Sequence, residues 1–91
     1  MQFEWHEQKA KINLKKHGIS FEEAVGSFYD PHQIAFEDPE HSEDKFREIL
    51  IGHSKNGRLL LVVYTVREKT IRLISARLAT KKEAKDYAQG I

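Results

Sequence analysis

The stretch from Arg47 to Leu78 constrains this chain most: three extended, β-branched and leucine-rich runs, separated by connections of hairpin length. Arg47–His53, Arg58–Arg67 and Thr70–Leu78 read as strands, joined by Ser54-Lys55-Asn56-Gly57 and by Glu68-Lys69. Consecutive hairpins make an antiparallel sheet, and a sheet must bury at least one face. The covering elements lie on either side of it in the sequence. His6 to His17 is rich in Lys, Glu, Gln, Ala and Leu and should be helical, stopping at Gly18. Ser20 with Glu23 opens a second helix through Phe28, which Asp30-Pro31 ends. Phe3–Trp5 and His32–Glu37 are short strand candidates, and Thr80 with Glu83 starts a closing helix that runs to about Tyr87. This grouping predicts an α+β fold, an antiparallel sheet packed on N-terminal helices with a C-terminal helix. At 91 residues and 40% hydrophobic content, residues 1–91 form one domain.

Several chemistries drop out at once. The chain has no cysteine, which removes disulfides, thiolate zinc sites and a thiol nucleophile, and suits a reducing compartment. Its longest apolar run is Leu59 to Tyr64, far short of a membrane span. The start, Met1 to His6, lacks a basic segment and an apolar core, so no signal peptide is expected and the cytoplasm is the default location. Serine-nucleophile, P-loop and dinucleotide fingerprints are absent. Asp30, His32, Asp38 and His41 have no compact ligand spacing, and Asp38 to Asp44 reads as an acidic surface loop. Neither a metal nor another cofactor is expected.

The net charge of +1 hides an asymmetry. Residues 1–45 hold five lysines against ten acids, whereas residues 46–91 hold ten basic residues against four acids. All five arginines, Arg47, Arg58, Arg67, Arg72 and Arg77, fall in the second half. Arginine is favoured where a planar fork grips phosphate or carboxylate, so the basic half points to a polyanion or an acidic partner. A solvated surface explains the same composition equally well.

Loop length sets which side chains share a face. A four-residue first loop places His53 opposite Arg58, Ile51 opposite Leu60, Ile49 opposite Val62 and Arg47 opposite Tyr64. A two-residue second loop places Arg67 opposite Thr70, Tyr64 opposite Leu73, Val62 opposite Ser75 and Leu60 opposite Arg77. One face would then be core, with Leu50, Leu59, Leu61, Val63, Ile74, Ala76 and Leu78. The other would carry Arg47, His53, Arg58, Tyr64, Ser75 and Arg77 among Ile49, Ile51, Leu60, Val62 and Leu73. Arg67 and Arg72 fall on the core parity near the hairpin tip.

A face with Arg, Tyr and His and no carboxylate cluster suits metal-free RNA cleavage. There the neighbouring 2′-hydroxyl is the nucleophile, so the protein supplies cations for the phosphate and groups that accept and donate protons. Arg47 and Arg77 fit the charge role, and Tyr64 fits proton transfer or base stacking. His17 and His53 have the intrinsic pKa for acid–base work. His17 and Lys16 are explained equally by the end of a helix, where cations are favourable. Asn13 is a poor residue for mid-helix, and its amide should have a partner. Trp5 and Phe21 read as core.

Trp5, Lys9, Asn13, Lys16-His17-Gly18-Ile19 and Phe21-Glu22-Glu23-Ala24 together resemble the N-terminal signature of BrnT toxins. So do Phe28-x-Asp30, Arg47 five residues before Gly52, Val62-Val63-Tyr64-Thr65-x-Arg67, and Arg72-x-Ile74-Ser75-Ala76-Arg77 followed by Ala79-Thr80 and Glu83. The resemblance implies a RelE-like fold and a ribonuclease toxin of a type II toxin–antitoxin pair that halts translation. It also implies a BrnA-like ribbon-helix-helix antitoxin, with operator DNA bound only through the complex. Lys16, His17, Arg47, Arg67, Arg72 and Arg77 match motif positions, whereas His53 and Arg58 lie outside them. The expected site is thus Arg47, Arg77, Arg67, His17 and Tyr64 for catalysis, with Lys16, Arg72 and Ser75 holding RNA. The alternative is a binding subunit of a DNA-bound repressor complex that cleaves nothing.

Overall fold

The computed structural model describes residues 1–41 and 46–90, so the acidic loop expected at Asp38–Asp44 lies partly outside the described residues. The elements are β1 (Gln2–Glu4), α1 (Glu7–His17), α2 (Phe21–Ser27), β2 (Ile34–Glu37), β3 (Arg47–His53), β4 (Leu59–Arg67), β5 (Thr70–Leu78) and α3 (Lys81–Gln89). A single 3₁₀ turn, Pro39–His41, follows β2. The five strands form one sheet in the order β1-β5-β4-β3-β2. The fold is α+β as the sequence predicts, and four strands are antiparallel. β1, however, joins the edge of β5 in parallel, which makes the sheet mixed.

Local chemistry fixes the helix ends. Gly18 closes α1 at φ +71, a conformation that favours glycine, and its N–H donates to the Leu14 carbonyl. Ser20 accepts the Glu23 N–H at the start of α2, but the Glu23 carboxylate turns away to Arg58 and Ser54, so only half of that capping box forms. At α3 the box closes fully: Thr80 Oγ1 accepts the Glu83 N–H, and the Glu83 carboxylate accepts the Thr80 N–H.

α1 and α2 cover one face of the sheet. Ile19, Phe21, Ala24 and Phe28 pack there on Leu50, Leu60, Val62, Tyr64, Ile71, Leu73 and Ala76, with Phe3 and Trp5 at the margin. Phe28 stacks edge-on against both Phe3 and Tyr64. Asn13 has the partner its awkward position called for. β1 covers β5 only over Thr70–Arg72, leaving the edge beyond it open. The buried Asn13 amide takes the place of a strand there, donating to the Ala76 carbonyl at 2.8 Å and accepting the Ala76 N–H at 3.1 Å. The same amide also donates to the Ile19 carbonyl, which ties α1 to the start of α2.

Both hairpins depart from the expected register, each for a local reason. In the first, the Ser54 N–H bonds to the Arg58 carbonyl, and Gly57 takes φ +80. The loop is therefore three residues with a left-handed glycine at its end, and the pairs become His53–Leu59, Ile51–Leu61, Ile49–Val63 and Arg47–Thr65. The second hairpin begins as expected, with Arg67 opposite Thr70 and Tyr64 opposite Leu73. Past Tyr64 the register shifts: Val63 faces Ser75 and Leu61 faces Arg77, leaving Ile74 as a bulge. Leu60, Val62, Leu73 and Tyr64 thus belong to the helix-covered face, and Leu61 and Val63 to the opposite one.

Candidate active site

The face away from α1 and α2 gathers four of the five arginines. Strand alternation places Arg47 of β3 and Arg67 of β4 there. Arg72 and Arg77 of β5 are five residues apart, a spacing that puts side chains of a regular strand on opposite faces. The Ile74 bulge reverses the alternation between them, so both point the same way. Ser75 and Thr65 join this face, together with Ile49, Leu61 and Val63. Arg67 and Arg72, expected on the core parity near the hairpin tip, instead share a floor with Arg47 and Arg77.

At one end of the floor a cleft is lined by Arg47, Ser75 and Arg77, by Ile49, Leu61 and Val63, and by Phe36, Asp38, Glu40 and Glu83. α3 packs against β3 on this side, and Ile51 and Leu61 are buried although they face away from α1 and α2. Arg77 makes a two-pronged contact with Glu83, Nη1 to Oε1 and Nη2 to Oε2, both at 2.9 Å. The guanidinium holds the Glu83 carboxyl below its usual range, against the opposing effect of burial, and the carboxylate in turn raises the Arg77 pKa. Asp38, itself buried, accepts from Arg47 Nε at 3.1 Å and from the Glu40 N–H. Among the described residues Arg47 is engaged through Nε alone, which leaves its two terminal amino groups to face a ligand.

A second cleft on the same face lies at the β4–β5 turn, lined by Glu4, Thr65, Arg67, Glu68, Thr70 and Arg72. Thr65, opposite Arg47 in the β3–β4 ladder, links the two clefts. Arg72 Nη1 contacts Glu4 Oε2 at 2.8 Å, and both side chains are half exposed. Arg67 is exposed and has no ion pair among the described residues.

Carboxylates therefore do reach this face, which strand alternation alone could not show. Glu4 arrives on β1, Asp38 and Glu40 from the segment after β2, Glu68 from the turn and Glu83 from α3. Glu83 is the residue that reading the sequence missed as part of a site, because its place in the capping box already explained it. Phe36, 42% exposed at the cleft rim, was missed as well.

Other expected site residues lie elsewhere. Tyr64 is on the helix-covered face, buried, with its hydroxyl donating to Glu48 at 2.9 Å. Burial, reinforced by the Glu48 carboxylate, pushes its pKa far up, so near neutral pH it stays a protonated core residue. The expected pairing of Arg47 with Tyr64 fails because the first hairpin turns one residue later than its length suggests. His17 and Lys16 end α1, on the other side of the sheet, and among the described residues neither has a hydrogen bond or ion pair to the floor. Arg58 is drawn off to Glu23 and the Gly18 carbonyl. His53 sits at the far end of β3, its Nδ1 3.1 Å from the Tyr87 hydroxyl, which donates to Asp30 at 2.7 Å. Phe28 is core, while Tyr87 is partly exposed on α3.

Comparison with known proteins places this fold in a family. The profile of the family described as "Ribonuclease toxin, BrnT, of type II toxin-antitoxin system" matches residues 5–83. The chain belongs to this BrnT family. Its fold is similar to that of the Brucella abortus ribonuclease toxin BrnT, with a TM-score of 0.69 at 23% identity, covering 89% of this chain and 99% of that one. No curated protein matches the chain. Among the described residues, no helix is long and apolar enough to cross a membrane.

Proposed function

We propose that this chain is a metal-independent endoribonuclease whose substrate lies across the four-arginine face. The observation that carries the reading is the convergence of Arg47, Arg67, Arg72 and Arg77 on one side of the sheet, produced by the Ile74 bulge. Arg47 and Arg77, in one cleft, would hold the scissile phosphate and stabilise the charge that builds on its non-bridging oxygens. Ser75 lines the same cleft and offers a hydrogen-bond donor. Arg67 and Arg72 would hold a neighbouring phosphate. The cationic work that a metal ion performs in other nucleases falls here to guanidinium groups already fixed by Asp38 and Glu83. Tyr64, buried on the other face, takes no part in this scheme.

Cleavage by a protein of this kind inside the cytoplasm would remove messenger RNA and so inhibit translation. The partner would be a BrnA-like ribbon-helix-helix antitoxin that lays acidic side chains over the arginine face, with operator DNA reached only through that complex. Incubation of the purified protein with RNA in EDTA tests the activity: fragments ending in a 2′,3′-cyclic phosphate or 3′-phosphate are expected. Cleavage that needs added Mg²⁺ would overturn metal independence. Intact RNA under all conditions would favour a non-cleaving subunit of a repressor complex.

A further inference from the structure

We infer that Glu83 is the general base of this ribonuclease, taking the proton from the attacking 2′-hydroxyl after the RNA phosphate displaces its carboxylate from Arg77. The inference rests on the ribonuclease reading above and adds the proton acceptor that it lacks.

Position is the first argument. Both carboxylate oxygens of Glu83 face the terminal nitrogens of Arg77 at 2.9 Å, the nitrogens a phosphate would occupy. A phosphate seated on that guanidinium brings the adjacent 2′-hydroxyl within reach of the group it has displaced. Asp38, the carboxylate on Arg47 in the same cleft, does not qualify. It is buried, grips Arg47 through Nε rather than the outer nitrogens, and uses its second oxygen on the Glu40 N–H.

Glu83 is also built to stay. The Thr80 N–H at 2.9 Å anchors Oε1 independently of Arg77, and the Thr80 hydroxyl fixes the backbone of the same residue. When the phosphate takes the guanidinium, this anchor remains and the carboxylate need only shift locally. The charged groups facing it are Arg77 from β5, Arg47 from β3, and Asp38 and Glu40 from the segment after β2. In the free protein Arg77 keeps the Glu83 carboxyl acidic, hence a weak base. Sharing that guanidinium with a phosphate dianion equivalent in the transition state raises its proton affinity when it is needed.

The step balances without a cofactor. The 2′-O–H proton passes to a Glu83 oxygen, and the 2′-oxygen forms the new bond to phosphorus. The P–O5′ bond breaks, and the 5′-oxygen leaves with its electron pair and takes a proton from water. Glu83 then returns its proton to solvent, leaving a 2′,3′-cyclic phosphate.

The test is steady-state cleavage of an RNA oligonucleotide by the purified chain, by E83Q, E83D and D86A, from pH 4 to 9. E83Q should lower kcat by about 10²–10⁴ with little change in KM and lose the acidic limb of the pH–rate profile. E83D keeps the charge but withdraws the carboxylate by one methylene, and should fall at least about tenfold in kcat with the limb retained. D86A removes a carboxylate one turn further along α3, where it pairs with exposed Lys82, without touching Glu83 or Thr80, and should keep kcat and the parental pH profile. A folded E83Q or E83D with parental kcat, or a D86A loss as large as that of E83Q, overturns the assignment to Glu83. Failure of the parent chain to cleave RNA would overturn the ribonuclease reading itself.

Discussion

Arg72 and Arg77 stand an odd number of residues apart on one strand and still project to the same side of the sheet, because Ile74 bulges between them. The bulge turns two separated cations into one continuous floor with Arg47 and Arg67. Each arginine should then contribute according to its place on that floor.

Replacing Arg67 and Arg72 together by alanine should weaken RNA binding and reduce the salt dependence of the affinity. Two lost phosphate contacts should lower the slope of log K against log salt by about 2. The Arg72–Glu4 pair is half exposed and contributes little to stability, so the melting temperature should hardly move. Fluorescence anisotropy with labelled RNA at several salt concentrations measures this. An unchanged slope would place the RNA elsewhere.

Asn13→Ala should destabilise the fold by about 2–4 kcal/mol, since it strands the buried N–H and carbonyl of Ala76 and the Ile19 carbonyl. Urea denaturation checks the value. A loss below about 0.5 kcal/mol would mean that water replaces the amide at the sheet edge.

Acid should act through Asp30. Burial alone would raise its pKa, but the His53 N–H, the Tyr87 hydroxyl and the His32 N–H outweigh it and bring the value from 3.8 to about 2. A carboxyl depressed in the folded state gives stability that is complete above about pH 4 and is lost as the pH falls toward 2. Asp30→Asn should flatten the stability profile across that window. Tyr87→Phe, which deletes one donor, should flatten it partly and cost about 1–2 kcal/mol at neutral pH. Denaturation midpoints measured from pH 2 to 7 read both effects.

Much of the fold was legible because its signals are local. The bounds of β3 and β5, the capping box at Thr80 and Glu83, and the Gly18 stop all follow from neighbouring residues. Loop length puts Arg47, Ser75 and Arg77 on one face, as the structure has them, although its register fails at both hairpins, because the two one-residue errors cancel on β5 beyond the bulge. Tyr64 precedes the bulge, where only the first error acts, so loop length alone puts it on the wrong face. The basic half of the sequence also concealed its own partners. Glu4, Glu23 and Asp38, from the acidic half, fold onto Arg72, Arg58 and Arg47, contacts that spacing along the chain cannot reveal.

The arginine face as the place of chemistry is tested most directly by single-turnover cleavage of an RNA oligonucleotide in EDTA, comparing the parent chain with R47A and R77A. Circular dichroism and thermal melting would confirm that each variant is folded. The parent should cleave, and each variant should be slower by about 10²–10³. Folded R47A and R77A variants that cleave as fast as the parent would contradict it.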